Sequence, residues 1–272
     1  MSKLIFTLIV VLSISGYSEP IKSAVSAYQI SHNDIDTESY SAKDYVQDGL
    51  VCLWDAIENV EYGLHDSDST TWANLVDGSK DSILGLSLRD YAWTDTSFIR
   101  LTETGGKFIS DRTKDLLQQF RECNFTIESV TSKPIDSANW QAQIFNVCQS
   151  TTDSYSNGII SRWRRMTDGR CGSLSGATYT SGAGLNVVPY DALITYTCSY
   201  SYGNGFFYAD GNLVSQSTVS PDYSISGVVV RLGSKYYGFQ GHYHCLRIYD
   251  RPLTDDEVKH NYEVDKARFN LP

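Results

Sequence analysis

Proline is scarce in this chain, with six in 272 residues, and no Cys-x-x-Cys pair occurs among its six cysteines. The first shortage, set beside nineteen tyrosines and five tryptophans, excludes a disordered scaffold and describes a folded chain with broad amphipathic faces. The second leaves no basis for a structural zinc knuckle or a thioredoxin-like redox pair. Basic residues are outnumbered 22 to 32 and the isoelectric point is near 4.9, so the chain on balance repels phosphate backbones and anionic membranes. Nucleic acid is not an expected partner. A membrane span needs roughly 20 apolar residues in a row, and no run reaches that length.

What the N-terminus does contain is one lysine, an apolar run from Leu4 to about Ile14, and then small residues. Residues 1–27 therefore read as a secretory signal peptide, with Ser13 and Ser15, or Val25 and Ala27, before the cleavage site. The same Ile, Val, Phe and Thr residues would also suit a β-strand at an uncleaved N-terminus. The expected location is secreted or surface-exposed, with a virion as the alternative. The cysteines at 52, 123, 148, 171, 198 and 245 are even in number, but their spacing fixes no pairing. Cys148 and Cys198 sit in strand-like runs, where a small buried side chain is the simplest reading.

Residues 28–47 are polar, rich in Ser, Asp and Tyr, and without a stable period, and they read as a linker or arm. From residue 48 onward, short β-branched and aromatic runs recur between turn signals: FIRLTET, NFTIESVTS, QAQIFNVCQ, GIISRWRR, ALITYTCSY, GVVVRLG and HCLRIYD. Many short strands with few helices predict an all-β sandwich or barrel over residues 48–272. In YADGNLV, Asp210-Gly211 predicts a tight hairpin turn, since both positions tolerate positive φ. Only DRTKDLLQQF near residue 115 and the C-terminal segment have helical support.

The closing stretch GHYHCLRIYDRPLTDDEVKHNYEVDKARF is the most informative. Thr254 and Glu257 form a capping box, and Asp255 and Asp256 add negative charge at the positive end of the helix dipole. Val258, Tyr262 and Phe269 lie near one helical face and predict the docking stripe. In the strand before it, Tyr243 has one parity while Leu246 and Ile248 have the other. Turning all three inward requires a bulge near His244-Cys245.

These residues carry a resemblance. Gly241, Tyr243, Leu246, Ile248, Tyr249 and DRPLTDDEVKHNY resemble the closing strand and helix of laminin-G-like domains of the concanavalin A-like lectin/glucanase superfamily. DGLVCLWDAIEN resembles their opening strand, TTWANLVDGSKDSILG the tryptophan-bearing segment, FTIESVTSK a central strand, and ITYTCSYSYGNGFFYADGNLV their hairpin. The resemblance covers roughly residues 48 to 269. It implies an antiparallel two-sheet jelly-roll β-sandwich with a short C-terminal helix, used by relatives to bind glycans or proteins.

Some relatives with this fold hydrolyse glycosides with carboxylates in a Glu-x-Asp-x-x-Glu spacing, set about 5 Å apart. No such triplet occurs here. Glu58 and Glu61 lack the middle aspartate, while Glu103 and Glu128 stand alone in alternating strands and read as solvated. Catalysis therefore has no residue to name, and a glycosidase is the less favoured reading. Asp66 and Asp68 have calcium-loop spacing, but Thr71 stands where an EF-hand needs glycine and Asp77 where it needs glutamate. No cofactor is certain, and Asp66 and Asp68 are the candidate calcium ligands. His242 and His244 share a face, without a carboxylate or cysteine partner that the sequence can assign.

The expected function is a lectin-like module binding a glycan or a surface protein, because sugar rings stack on flat aromatic side chains. Trp93, Trp163, Tyr200, Tyr202, Tyr236 and Tyr237 are the candidate stackers. Arg162, beside Trp163 in SRWRRM, could grip an acidic sugar or belong to a solvated strand edge. The alternative is a structural or adhesion subunit of a surface or virion assembly, which would form an oligomer.

Overall fold

The computed structural model describes residues 40–76, 79–84, 91–100, 107–108, 116–132, 143–148, 158–164, 168–175, 178–180, 184–185, 193–218, 229–232 and 241–272. They belong to one fold unit, Tyr40–Pro272. After a 3-10 turn at Ala42–Asp44 come β1 (Leu50–Asp55), β2 (Thr71–Asn74), β3 (Ser79–Leu84), β4 (Tyr91–Trp93), β5 (Phe98–Arg100) and β6 (Lys107–Phe108). Helix α1 (Leu117–Glu122) precedes β7 (Asn124–Ser132), β8 (Gln143–Cys148), β9 (Gly158–Arg164), β10 (Asp168–Ser175), β11 (Thr178–Thr180) and β12 (Gly184–Leu185). Then follow β13 (Leu193–Ser201), β14 (Asn204–Ala209), β15 (Asn212–Thr218), β16 (Val229–Leu232), β17 (Gly241–Tyr249) and helix α2 (Asp255–Phe269).

The protein is an antiparallel β-structure of the expected class, closed by a short C-terminal helix. Eight strands form one sheet in the order β15-β14-β13-β7-β17-β5-β4, with β1 sharing the outer edge of β17. Six form a second sheet, β11-β10-β9-β8-β16, with β12 beside β10. A small third sheet, β2-β3-β6, adds to the two that the sequence predicts.

Alternation along the central strands builds two apolar clusters. Phe125, Ile127, Tyr196, Cys198, Leu246 and Ile248 join Trp54 and Trp72 on one face of the eight-stranded sheet, each large side chain contributing about 1.5–3 kcal/mol by leaving water. Val130, Cys245 and Tyr249 lie on the other face, under Val258, Val264 and Phe269 of α2. The expected bulge is present: the register of β17 against β7 shifts between Tyr243 and Cys245, and Tyr243, Leu246 and Ile248 enter the same cluster. Asp210 (φ 48°) and Gly211 (φ 72°) form the expected hairpin turn between β14 and β15.

Three local expectations change. Residues 40–47, read as the end of an arm, are folded in: Ser41 and Asp44 form a capping box, and Ala42 and Tyr45 are buried. The first helix runs two residues past DRTKDLLQQF, covering Leu117–Glu122 among the described residues, and Cys123 ends it in the left-handed conformation. The docking face of α2 is also more polar than its apolar stripe, because Asn261 and Asp265 are buried beside Val258 and Phe269 while Tyr262 is half-buried. Both polar residues meet charges on the sheet beneath. No helix among the described residues is long and apolar enough to cross a membrane.

Candidate functional site

The charges beneath α2 form the best-defined polar constellation. Glu128 on β7 stands between Thr197 of β13 and Arg247 of β17 in the strand register. It accepts from Arg247 Nε at 2.8 Å, Asn261 Nδ2 at 2.7 Å and Thr197 Oγ1 at 2.9 Å. Asp265 takes the fork of the Arg247 guanidinium at 2.6 and 2.7 Å and also accepts from the Tyr45 hydroxyl at 2.8 Å. Nearby, Arg268 pairs with Asp55 and with Glu58 at 2.8 Å each. The reading of Glu128 as solvated is thus wrong. Its parity away from Phe125 and Ile127 was legible, but the helix that covers that face returns from more than a hundred residues later.

Burial raises the carboxyls of Glu128 and Asp55, with Arg247 and Arg268 opposing that rise. Arg247 stays charged, pushed up by Asp265 and Glu128 against the cost of its own burial. Sealed from solvent and committed to arginine, these carboxylates hold the helix on the sheet and do not face a substrate.

The histidine pair is likewise absorbed into structure. The His242 and His244 rings stack at 6.1 Å. His242 Nδ1 lies 2.9 Å from Ser97 Oγ, and His244 Nδ1 lies 2.7 Å from the Thr96 carbonyl oxygen. Burial lowers the His244 pKa to about 4. Among the described residues no three His, Cys, Asp or Glu side chains gather as a metal site. Asp66 and Asp68 are exposed neighbours, and Asp66 Oδ1 accepts the Asp68 backbone N–H at 2.9 Å, as an Asx turn does.

The aromatic candidates separate. Tyr200 is a correction: it is 4% exposed and packs on Phe125 at 4.8 Å, because its parity on β13 puts it with the core residues Tyr196 and Cys198. Tyr202, two positions on, is 67% exposed in the turn before β14. Trp93 is half-buried; it donates to the Ser69 carbonyl at 2.7 Å and meets the Trp72 ring edge-on. Tyr236 and Tyr237 lie outside the described residues.

Arg162 and Trp163 occupy an inner strand, not an edge, since β9 pairs with β8 on one side and β10 on the other. As consecutive residues of a strand they hold alternate positions on its two faces. In register, Arg162 stands opposite Gln143 and Arg170, Arg164 opposite Asp168, and Asn146 opposite both Ile160 and Arg231. By register, one face of the six-stranded sheet carries positions 162, 164, 170 and 231, all arginine, together with Gln143, Asn146, Asp168, Cys148, Ile160, Leu174 and Val229. The other carries Trp163, Ile159, Phe145, Val147, Val230 and Leu232 with Ser161, Cys171 and Ser173.

Residues 112–259 match the laminin-G-like family model described as concanavalin A-like lectin/glucanases superfamily. No curated relative matches the sequence. Among solved structures, a mutant of Trypanosoma rangeli sialidase displaying trans-sialidase activity superposes with a TM-score of 0.61 at 12% identity, over 92% of this chain and 39% of that one. Trypanosoma rangeli sialidase in complex with sialic acid gives 0.59 at 13% identity, over 91% of this chain and 38% of that one. The chain spans about two-fifths of the length of these structures, and the likeness is one of fold.

Proposed function

Because the chain belongs to the concanavalin A-like lectin/glucanase superfamily, we propose that it is a glycan-binding module, secreted or surface-exposed, and that it does not hydrolyse what it binds. The observation that carries this reading is the family match over 148 residues, 112–259. The fates of Glu128 and Asp55 support a non-catalytic role, since both strand carboxylates are buried on arginines. Cys198 is disulfide-bonded, which supports an oxidising compartment outside the cytosol.

A glycan array probed with the full chain, with and without calcium, tests the proposal. A saturable hit on a defined sugar is the expected result, and release of reducing ends from that sugar would overturn the non-catalytic part. An array without any hit, together with a trimeric or larger mass in light scattering, would replace the proposal with an assembly role.

A further inference from the structure

Resting on the exported location proposed above, we infer that Asn124 carries an N-linked glycan, attached during synthesis, and that its first sugar packs against Tyr202.

Asn124, Phe125 and Thr126 form an Asn-x-Thr triplet, and no other Asn-x-Ser or Asn-x-Thr occurs in the 272 residues. Secretory pathways modify that triplet when it lies on a surface segment. The fold places it there. Asn124 is the first residue of β7, at the rim of the eight-stranded sheet, directly after the left-handed Cys123 that ends α1. It is half-buried, between the buried Cys123 and Phe125. Its amide is also uncommitted. Asn124 Oδ1 has no hydrogen-bond partner, whereas Asn59, Asn74 and Asn261 each use both branches of the amide to fasten neighbouring segments.

An exposed aromatic stands beside it. Ser201 lies opposite Asn124 across the β7–β13 ladder, about 5 Å away. Tyr202 follows, 67% exposed, with its N–H donating to the Cys123 carbonyl at 3.1 Å. Tyr202 and Gly203 make the turn before β14, and both have positive φ, 35° and 99°. Such a turn favours Asn, Asp or Gly at its first position. Tyrosine there costs about 1–2 kcal/mol, and its ring recovers nothing by burial in the core. Strain kept in the open points to a contact surface, and the apolar face of a sugar stacks on a flat ring.

The modification is a group transfer. Asn124 Nδ2 forms a bond to C1 of the sugar as the bond from C1 to the oxygen of a lipid-linked pyrophosphate breaks. The amide gives up one proton, and the pyrophosphate leaves with the electron pair. Thr126 supplies the hydroxyl that completes the triplet. In the folded chain it is buried, accepting the Leu253 N–H at 2.9 Å and lying 3.0 Å from the Arg251 carbonyl oxygen. Arg251 is synthesised 125 residues after Thr126, so the triplet is open until that segment arrives and closed afterwards. Attachment therefore precedes folding of the C-terminal segment over β7.

Intact mass of the full chain from its native host, before and after enzymatic removal of N-linked glycans, tests this when the N-terminus is read from the same sample. The expected result is a glycan mass that the enzyme releases, leaving aspartate at position 124. Asn124→Gln should abolish the added mass, and Asn124→Asp gives the same readout if Asn124→Gln does not fold. Thr126→Ser should retain it, because the triplet persists. Asn204→Gln, at an exposed position on the same rim, should leave it unchanged. Tyr202→Ala should lower the melting temperature of the glycosylated chain by a few degrees more than that of the deglycosylated chain. Equal shifts would overturn the packing against Tyr202. A chain that has lost its N-terminal apolar run yet carries an unmodified Asn124 would overturn the inference while leaving export in place. An unmodified chain that retains Met1 inside the cell would overturn export, and the inference with it.

Discussion

Arg247 on β17 and Glu128 on β7 stand directly opposite each other and join at 2.8 Å with neither side chain reaching solvent. Asp265 of α2 closes the other side of the guanidinium at 2.6 Å. One cation thus ties two central strands to the C-terminal helix. Breaking such a unit leaves a buried charge without its partner, so Glu128→Ala should lower the stability to urea by about 3–5 kcal/mol. Replacing the whole unit, with Arg247→Met, Glu128→Leu and Asp265→Leu together, should cost less than Arg247→Met alone, because no buried charge is then left without its counter-ion, and the donors that lose an acceptor, on Asn261, Thr197 and Tyr45, are neutral. A triple variant less stable than the single one would refute this account.

His244 makes stability depend on pH. Its folded pKa is lowered to about 4 by burial, below the ordinary value of about 6.5. In that interval the unfolded chain takes up a proton that the folded chain refuses, so stability falls as pH drops from about 6.5 toward 4, by about 3 kcal/mol. Glu257, held at about 2 by Arg251 against an ordinary 4.5, contributes stability that begins to be lost as pH falls through about 4.5, so it adds only at the acid end of this window. Melting curves of the wild type and His244→Gln across the interval should converge as pH falls, and parallel curves would remove His244 as the cause.

The β14–β15 turn relies on Gly211. Its φ of +72° is left-handed, and an added Cβ would come within 3.0 Å of Tyr262 Cβ on α2. Gly211→Ala should therefore destabilise by about 1–2 kcal/mol from backbone conformation alone, with the contact adding to it. Paired with Tyr262→Ala, the loss should shrink only in part, because alanine removes the ring contacts at 3.1 Å and keeps the Cβ contact at 3.0 Å, as a double-mutant cycle would reveal.

The cap of α2 predicts a smaller effect. Thr254 Oγ1 accepts the Glu257 N–H at 3.3 Å, and Glu257 returns the bond by accepting the Thr254 N–H at 2.9 Å. Thr254→Ala should cost about 1 kcal/mol, while Arg251 still grips Glu257 at 2.6 Å. A fall in melting temperature of a few degrees is expected; none would show that Arg251 alone fixes the helix start.

Much of the fold was open to reading because its signals are local. The capping box, the Asp210-Gly211 turn and the parity break before Cys245 each depend on a few adjacent residues, and each appears where the sequence places it. The candidate site was legible only in part. Arg162 and Trp163 look like one motif in a row of letters, but a strand sends neighbours to opposite faces, and the partners of Arg162 come from β8 and β10.

By itself the sequence determined the strand-rich class, the hairpin turn, the helix start and the alternation that separates apolar from polar positions. Those follow from backbone sterics, capping and a two-residue period, all acting within a few residues. Tertiary structure alone decided that Glu128 is buried and that Arg162, Arg170 and Arg231 share a face. It also decided that Tyr200 is core while Tyr202 is exposed. Burial and strand neighbours are set by segments distant in the chain, and for Glu128 the decisive one is the helix carrying Asp265, whose carboxylate meets the same arginine.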